Sequence, residues 1–143
     1  MENVPTIISA KFRANFDALL NELSALGYRH EYGILNARDC GIPQSRRRAF
    51  VVSKLSAPAP KLPAPILLKT RMEHYLTPIP PNNYYLTEKQ LIKMATLNEN
   101  NAKKGVGYRF EPKRADSIAK TITTREGPRE YSNFLLEDSP DLI

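Results

Sequence analysis

Residues 28–55, YRHEYGILNARDCGIPQSRRRAFVVSKL, decide how the first part of this chain folds. Residues 28–35 and 48–55 have the side chains of β-strands, whereas residues 36–46 between them are rich in turn formers. The apolar run Phe50-Val51-Val52 indicates that the second strand is buried. The stretch therefore predicts a strand, a long turn and a second strand.

An amphipathic helix precedes this stretch. Between residues 10 and 26, apolar side chains recur every three or four positions, as they do along one face of an α-helix. Ser9 can cap the start of this helix, and Gly27 can adopt the left-handed conformation that ends it. The first 55 residues thus predict a loop, a helix, a strand, a turn and a strand, which is a piece of an α/β sheet rather than a complete one.

Composition restricts the class of protein. The chain has 143 residues, a net charge of +6 and one cysteine. The length suits about one domain, the basic excess favours a polyanion such as nucleic acid, and a lone cysteine indicates a reducing compartment. Because no apolar run reaches about 18 residues and the N-terminus does not resemble a signal peptide, we expect a cytoplasmic protein with no membrane contact.

The second half of the sequence is less regular. Residues 56–65, SAPAPKLPAP, are typical of an extended linker. Thr87 begins a capping-box pattern for a helix that ends near Gly105, and β-prone runs at residues 117–124 and 133–136 alternate with turn formers. The expected division is a sheet region, a linker and an irregular α+β region at residues 1–55, 56–70 and 71–143.

Three polar residues of the central turn are spaced two apart. Side chains two residues apart point the same way in extended backbone, so Gln44, Arg46 and Arg48 would project together and Arg47 elsewhere. Two aligned guanidinium groups suit phosphate oxygens or the carbonyl oxygen of a base. The alternative is a solvated turn whose arginines only raise solubility, and spacing alone does not separate the two interpretations.

The same turn resembles a motif of a known enzyme family. The eighth motif of the DNA cytosine-5 methyltransferases is similar to Asn36-Ala37-x-Asp39-x-Gly41-Ile42-Pro43-Gln44-x-Arg46-x-Arg48, followed by an apolar strand. The sixth motif resembles Glu2-Asn3-Val4, and the helix between the two motifs gives them the spacing of the family. The resemblance is strong over residues 2–55 and looser beyond. It implies a partial Rossmann-like sheet of a methyltransferase that uses S-adenosylmethionine.

The resemblance also implies catalytic roles. Enzymes of this family extrude a cytosine from duplex DNA, add a cysteine thiolate to C6 of the ring and transfer a methyl group from S-adenosylmethionine to C5. Glu2, when protonated, would then hydrogen-bond N3, and Arg48 would contact O2 and stabilise the charge that develops there. Arg46 would order the loop and contact the DNA backbone, while Gln44 would mainly brace the turn and also contact the DNA.

DNA contacts are also implied in the second half, because the resemblance implies that residues 71–143 are part of the target recognition domain and residues 1–55 the C-terminal part of the catalytic domain. The family has a Thr-Leu-like dipeptide near the DNA, and Thr121-Ile122 resembles it. Thr121, Thr123 and Arg125 are therefore expected to contact phosphates or bases. The alternative is an ordinary strand whose threonines lie on its solvent face.

Two parts of the family pattern are absent. The nucleophilic cysteine follows a proline upstream of the Glu-Asn-Val motif, whereas Cys40 lies in the turn, where we expect a small packed residue. The pair Gly105-x-Gly107 follows a predicted helix and not a strand, so it does not match a cofactor loop. The resemblance thus implies that a missing N-terminal part binds S-adenosylmethionine and that this chain holds neither cofactor nor metal.

Three hypotheses about function stay open. The chain is a fragment or subunit of a DNA cytosine-5 methyltransferase, of the restriction-modification kind, that is inactive without an upstream N-terminal polypeptide. Alternatively, it is the remnant of an interrupted gene, or a DNA-binding module without catalysis. Double-stranded DNA is the expected ligand. Because a sheet without its upstream strands has a bare edge, we also expect a partner chain or self-association.

Overall fold

The helices and strands fall into two units, residues 1–69 and 70–143, which are described separately. The structure, a computed structural model, describes residues 1–56, 58, 60–105, 107, 110–122 and 133–136. Its strands and α-helices are β1 (Glu2–Asn3), α1 (Arg13–Ala25), β2 (Tyr28–Asn36), β3 (Gln44–Ser45), β4 (Arg47–Leu55), α2 (Glu88–Lys103) and β5 (Ala119–Lys120). Short 3-10 helices occupy Pro5–Ile8, Ala10–Phe12, Ala37–Cys40, Met72–Tyr75 and Asn82–Tyr84.

A three-stranded antiparallel sheet with the order β1-β4-β2 forms the first unit. Strands β2 and β4 pair over their full length, from Tyr28 opposite Leu55 to Asn36 opposite Arg47. Strand β1 pairs with the other edge of β4. Both strands predicted from the sequence are confirmed, and each is one residue longer than predicted.

Helix α1 covers one face of this sheet. Side chains alternate between faces along a strand, and Ala49 and Val51 of β4 are buried. Val51 packs with Phe16 and Leu20 of α1, and the ring of Phe16 meets the ring of Tyr32 edge to face at 4.9 Å between centroids. Phe16 retains only 2% of its exposure, so it is the centre of this small core.

The ends of α1 differ in how well the sequence predicts them. The α-helix begins at Arg13, after the 3-10 turn, and not at residue 10. The prediction that Ser9 caps the helix is wrong, because its hydroxyl donates to the carbonyl of Thr6 at 2.6 Å instead. At the other end Gly27 has a φ of +86°, which confirms the predicted left-handed glycine.

A cation anchors the first turn of α1 to the sheet. The guanidinium of Arg13 donates to Asp17 at 2.9 Å and to the hydroxyl of Tyr32 at 3.1 Å. The hydrogen bond to Asp17, with a smaller contribution from Tyr32, raises the pKa of Arg13 above its ordinary value. This arginine therefore stays charged wherever the protein is folded.

The extended segment after β4 lies against the other face of the sheet. A Cβ atom added at Gly33 would lie 2.9 Å from Cδ1 of Leu62, so a larger residue there would require the Leu62 side chain to shift. The Leu62 amide donates to Oε1 of Glu31 at 3.3 Å, and the Ile66 amide donates to the carbonyl of Asp39 at 2.8 Å. Part of the proline-rich region predicted as a linker thus contacts the sheet and the turn of the first unit.

Helix α2 organises the second unit. Its N-terminus has the predicted capping box, since the Gln90 amide donates to Thr87 Oγ1 at 3.4 Å and the Thr87 amide to Gln90 Oε1 at 2.8 Å. Met94 of this helix is buried. Asn98 exchanges two hydrogen bonds with the main chain of Phe110, at 2.7 and 2.8 Å. The helix therefore holds the segment that follows it through one amide side chain.

Strand structure in the second unit is sparser than the sequence predicts. Of residues 117–124, Ala119–Lys120 form a strand, and residues 123 and 124 lie outside the described residues. Residues 133–136 contribute a single parallel bridge, between Leu135 and Lys113. Along the described part of the chain, no helix is long and apolar enough to cross a membrane.

Removal of the Phe16 side chain should destabilise the protein more than removal of an exposed phenylalanine. We expect Phe16→Ala to lower the free energy of unfolding by about 3–5 kcal/mol, because it removes apolar contacts and leaves a cavity. Phe12→Ala, one turn earlier and 41% exposed, is the matched control and should cost less than about 1 kcal/mol. Urea unfolding followed by circular dichroism measures both, and equal losses would contradict this description of the core.

Candidate functional site

Main-chain hydrogen bonds fix the turn between β2 and β4. The amide of Ala37 donates to the carbonyl of Arg46 at 3.0 Å, and the amide of Ile42 donates to the carbonyl of Ala37 at 3.1 Å. Gly41 has a φ of +83°, which favours glycine, and a Cβ atom there would lie 3.1 Å from Cδ1 of Ile66. The turn that carries the arginines therefore has a defined conformation.

The register of β1 on β4 brings the first acidic residue to the arginines. Glu2 lies opposite Phe50, and Arg48, two residues earlier, shares the face of Phe50. Diagonal neighbours across a strand pair are within reach of long side chains. Oε1 of Glu2 is 3.0 Å from Nε of Arg48 and 4.0 Å from Nη2 of Arg46.

The other residues of the turn take different positions. Arg47 pairs with Asn36 in the strand register, is exposed, and lies on the opposite face from Arg48, as the spacing predicts. Gln44 is half-buried, and its main-chain amide donates to the carbonyl of Ile42 at 2.7 Å. A DNA contact by Gln44 stays a prediction.

Exposure limits how strongly the charges hold one another. The side chain of Glu2 is 47% exposed and that of Arg48 is 20% exposed. Ion pairs this accessible to water contribute about 1 kcal/mol or less, so strand pairing rather than the ion pair sets the geometry. The arrangement presents N–H donors and a carboxyl group on one face, and it can bind a carbonyl oxygen and a ring nitrogen side by side.

A buried amide, to which the sequence analysis assigned no role, supports the turn. Asn36, at the end of β2, is 7% exposed, and its Oδ1 accepts a hydrogen bond from the amide of Arg46 at 3.0 Å. In the part of the chain that the structure describes, it is the one polar or charged residue that is buried. An asparagine that directly follows the apolar residues of a strand is the sequence signal that could have indicated this role.

The remaining predicted residues lie in the turn and in the second unit. Cys40 ends the 3-10 turn Ala37–Cys40 and is exposed. The carbonyl of Thr121 accepts a hydrogen bond from Nδ2 of Asn133 at 3.4 Å, whereas Thr123 and Arg125 lie outside the described residues. Among the described residues, no three His, Cys, Asp or Glu side chains lie close enough together to hold a metal ion.

Comparison with known proteins identifies relatives over nearly the whole chain. The family model of the C-5 cytosine-specific DNA methylases matches residues 1–140. The type II methyltransferase M2.ScrFI of Lactococcus lactis subsp. cremoris is 46% identical over 56 residues, which is 39% of this chain and 16% of that protein. The type II methyltransferase M1.ScrFI of the same organism is 25% identical over 142 residues, 96% of this chain and 36% of that protein. The chain thus spans well under half the length of these relatives.

Solved structures give the same result for the fold. The S. pombe Dnmt2 methyltransferase superposes with a TM-score of 0.64 at 20% identity, over 98% of this chain and 44% of that chain. The Entamoeba histolytica methyltransferase EhMeth gives a TM-score of 0.64 at 21% identity, over 85% of this chain and 34% of that chain. The predicted fold class, part of a Rossmann-like α/β methyltransferase sheet, is confirmed.

The ion pair between Glu2 and Arg48 should be weak. A double-mutant cycle with Glu2→Gln and Arg48→Met is expected to give a coupling free energy of about 0.2–1 kcal/mol, because water screens both groups. Arg13 and Asp17, an exposed pair four residues apart on α1, serve as the matched comparison and should give about 0.3–0.5 kcal/mol. Urea unfolding of the four variants measures each value, and a Glu2–Arg48 coupling several times larger than that of the helix pair would show that the charges themselves hold β1.

Proposed function

Because the chain belongs to the C-5 cytosine-specific DNA methylase family, we propose that it forms one wall of a pocket for a cytosine extruded from duplex DNA. The observation that carries the proposal is the cluster of Glu2, Arg46 and Arg48 on one face of the sheet, with Glu2 only 3.0 Å from Arg48. The reaction in which this pocket takes part is methylation of the C5 position of the base.

The chemistry of the ring explains why these residue types suit the pocket. When a nucleophile adds to C6, electron density moves towards N3 and O2 of the cytosine. Protonated Glu2 can donate a hydrogen bond to N3, and the guanidinium of Arg48 can donate to O2 and stabilise the charge that develops there. Arg46 lies at the edge of the same group, where its guanidinium can hold a phosphate of the DNA backbone.

The glycine pair near the end of α2 does not have the context of a loop that binds S-adenosylmethionine, the methyl donor that the family uses. Gly105, in the sole Gly-x-Gly pair of the sequence, has a φ of +66° and follows the end of α2, which is the geometry of a helix terminus. A nucleotide-binding loop instead joins a strand to the start of a helix. We therefore assign no cofactor contact to this chain.

The nucleophile is also expected to come from another segment. Cys40 is exposed in the turn before the arginines, where the family does not place its reactive cysteine. A Pro-Cys segment and a glycine-rich loop, in the same polypeptide or in a second one, would complete the site.

A graft into a relative tests the proposed roles. Residues 1–55 would replace the equivalent segment of the Lactococcus lactis methyltransferase M2.ScrFI, and transfer of labelled methyl groups to duplex DNA would be measured. We expect the chimera to be active. Glu2→Ala should lower kcat by about 10²–10⁴-fold because the hydrogen bond to N3 is lost, and Arg48→Ala by about 10²–10³-fold.

Arg47→Ala is the matched control for this graft. It removes the same charge one residue away, but from the opposite face of the sheet, so kcat should stay close to that of the unmodified chimera. Equal losses for Arg47→Ala and Arg48→Ala would show that only the number of positive charges matters, and an undiminished Glu2→Ala chimera would exclude the proposed acid role.

The 143-residue chain by itself provides a second test. We expect it to incorporate no labelled methyl group into duplex DNA, because its only cysteine is in the exposed turn. Binding of duplex DNA that weakens with salt, measured in parallel, would show that the polypeptide is competent to bind DNA, and its circular dichroism would show that it is folded. Methyl transfer that Cys40→Ser abolishes would contradict this expectation and identify Cys40 as the nucleophile.

A further inference from the structure

The peptide unit of Arg46 is held from two sides by neighbouring residues of β2 and the turn. Its amide donates to Oδ1 of Asn36 at 3.0 Å and to the carbonyl of Gln44 at 3.1 Å, and its carbonyl accepts from the amide of Ala37 at 3.0 Å. These contacts lie immediately before β4 begins at Arg47. They therefore fix the point from which the side chains of β4 start to alternate between faces.

The phase of this alternation decides which arginine meets Glu2. Successive side chains of a strand point to opposite faces, so a slip of one residue moves every side chain to the other face. A slip at the start of β4 would turn Arg48 away from Glu2 and direct Arg47 towards it. The exposed ion pair is too weak to prevent this, so the buried face of β4 and the turn before the strand must hold the register together.

We propose that Asn36 is a positioning residue whose side chain sets the register of Arg46 and Arg48 relative to Glu2. The functional part of this inference rests on the proposed pyrimidine pocket. The burial of Asn36 supports it, because a polar group at 7% exposure is retained where its hydrogen bond is needed. An apolar residue of the same size would fill the space but would leave the Arg46 amide without this acceptor.

A nuclear magnetic resonance experiment on the full chain tests the positioning without any assumption about function. The Nε–Hε signal of Arg48 should shift on Glu2→Gln, because Nε lies 3.0 Å from the carboxylate. In the Asn36→Leu background, which keeps the number and branching of the side-chain heavy atoms and removes the acceptor, this Glu2-dependent shift should fall to less than half. Asn36→Asp retains an oxygen acceptor and should restore it.

Asn98→Leu is the matched control. Asn98 also bonds the main chain through its amide, to Phe110 in the second unit, so its loss should leave the Arg48 signal unchanged. If Asn36→Leu keeps the full Glu2-dependent shift, or if Asn98→Leu abolishes it equally, the positioning role is wrong. Should Asn36→Leu fail to fold, hydrogen exchange of the Arg46 amide in Asn36→Ala decides. Because the Gln44 carbonyl would remain as its acceptor, we expect exchange faster than in the unmodified chain but not as fast as in an unfolded chain. Exchange at the unmodified rate would overturn the proposal.

DNA binding then tests the link to the pocket. The full chain should bind a duplex with a mispaired cytosine several-fold more tightly than the fully paired duplex, because a mispaired base is easier to extrude. Asn36→Leu should reduce this preference towards equal affinity while the salt dependence is retained, and Asn36→Asp should keep the preference. A wild-type chain without the preference would refute the proposed pocket, whereas a preference that persists in Asn36→Leu would refute the functional role of Asn36 alone.

Discussion

The antiparallel pairing of β1 with β4 is the constraint on which the site depends. It places Glu2 opposite Phe50 and therefore on the face of Arg48, at a separation that long side chains bridge. The charges are too exposed to create this arrangement themselves. A small number of main-chain hydrogen bonds thus decides where the carboxylate and the guanidinium groups meet.

Strand β4 can serve two purposes because its two faces have different surroundings. On one face Ala49 and Val51 are buried, and Val51 packs with Phe16 of α1, which supplies the core of the first unit. On the other face Arg48 remains partly exposed beside Glu2. The alternation of side chains along one strand therefore separates the residues that stabilise the sheet from those proposed to contact the base.

The turn before β4 links the chemistry to the fold. The family motif supplies its arginines, while Gly41 and Asn36 supply its shape, one through a left-handed φ and the other through a buried hydrogen-bond acceptor. The extended segment after β4 adds a contact at Asp39, inside the same turn. A region that looks like a linker by composition is therefore partly a layer of the first unit.

The periodicity of residues 10–26 and the turn formers of residues 36–46 determined the helix and both long strands, and the two-residue spacing determined that Arg46 and Arg48 share one side while Arg47 lies on the other, because these features depend on local repeats of 3.6 and 2 residues. The motif pattern determined the family. Tertiary structure alone decided that Ser9 bonds Thr6 instead of capping α1, that Leu62 occupies the space over Gly33, and that Asn36 holds Arg46. Each of these outcomes depends on which atoms a side chain meets in the folded chain. Local sequence patterns alone do not show which acceptor a hydroxyl or an amide will find.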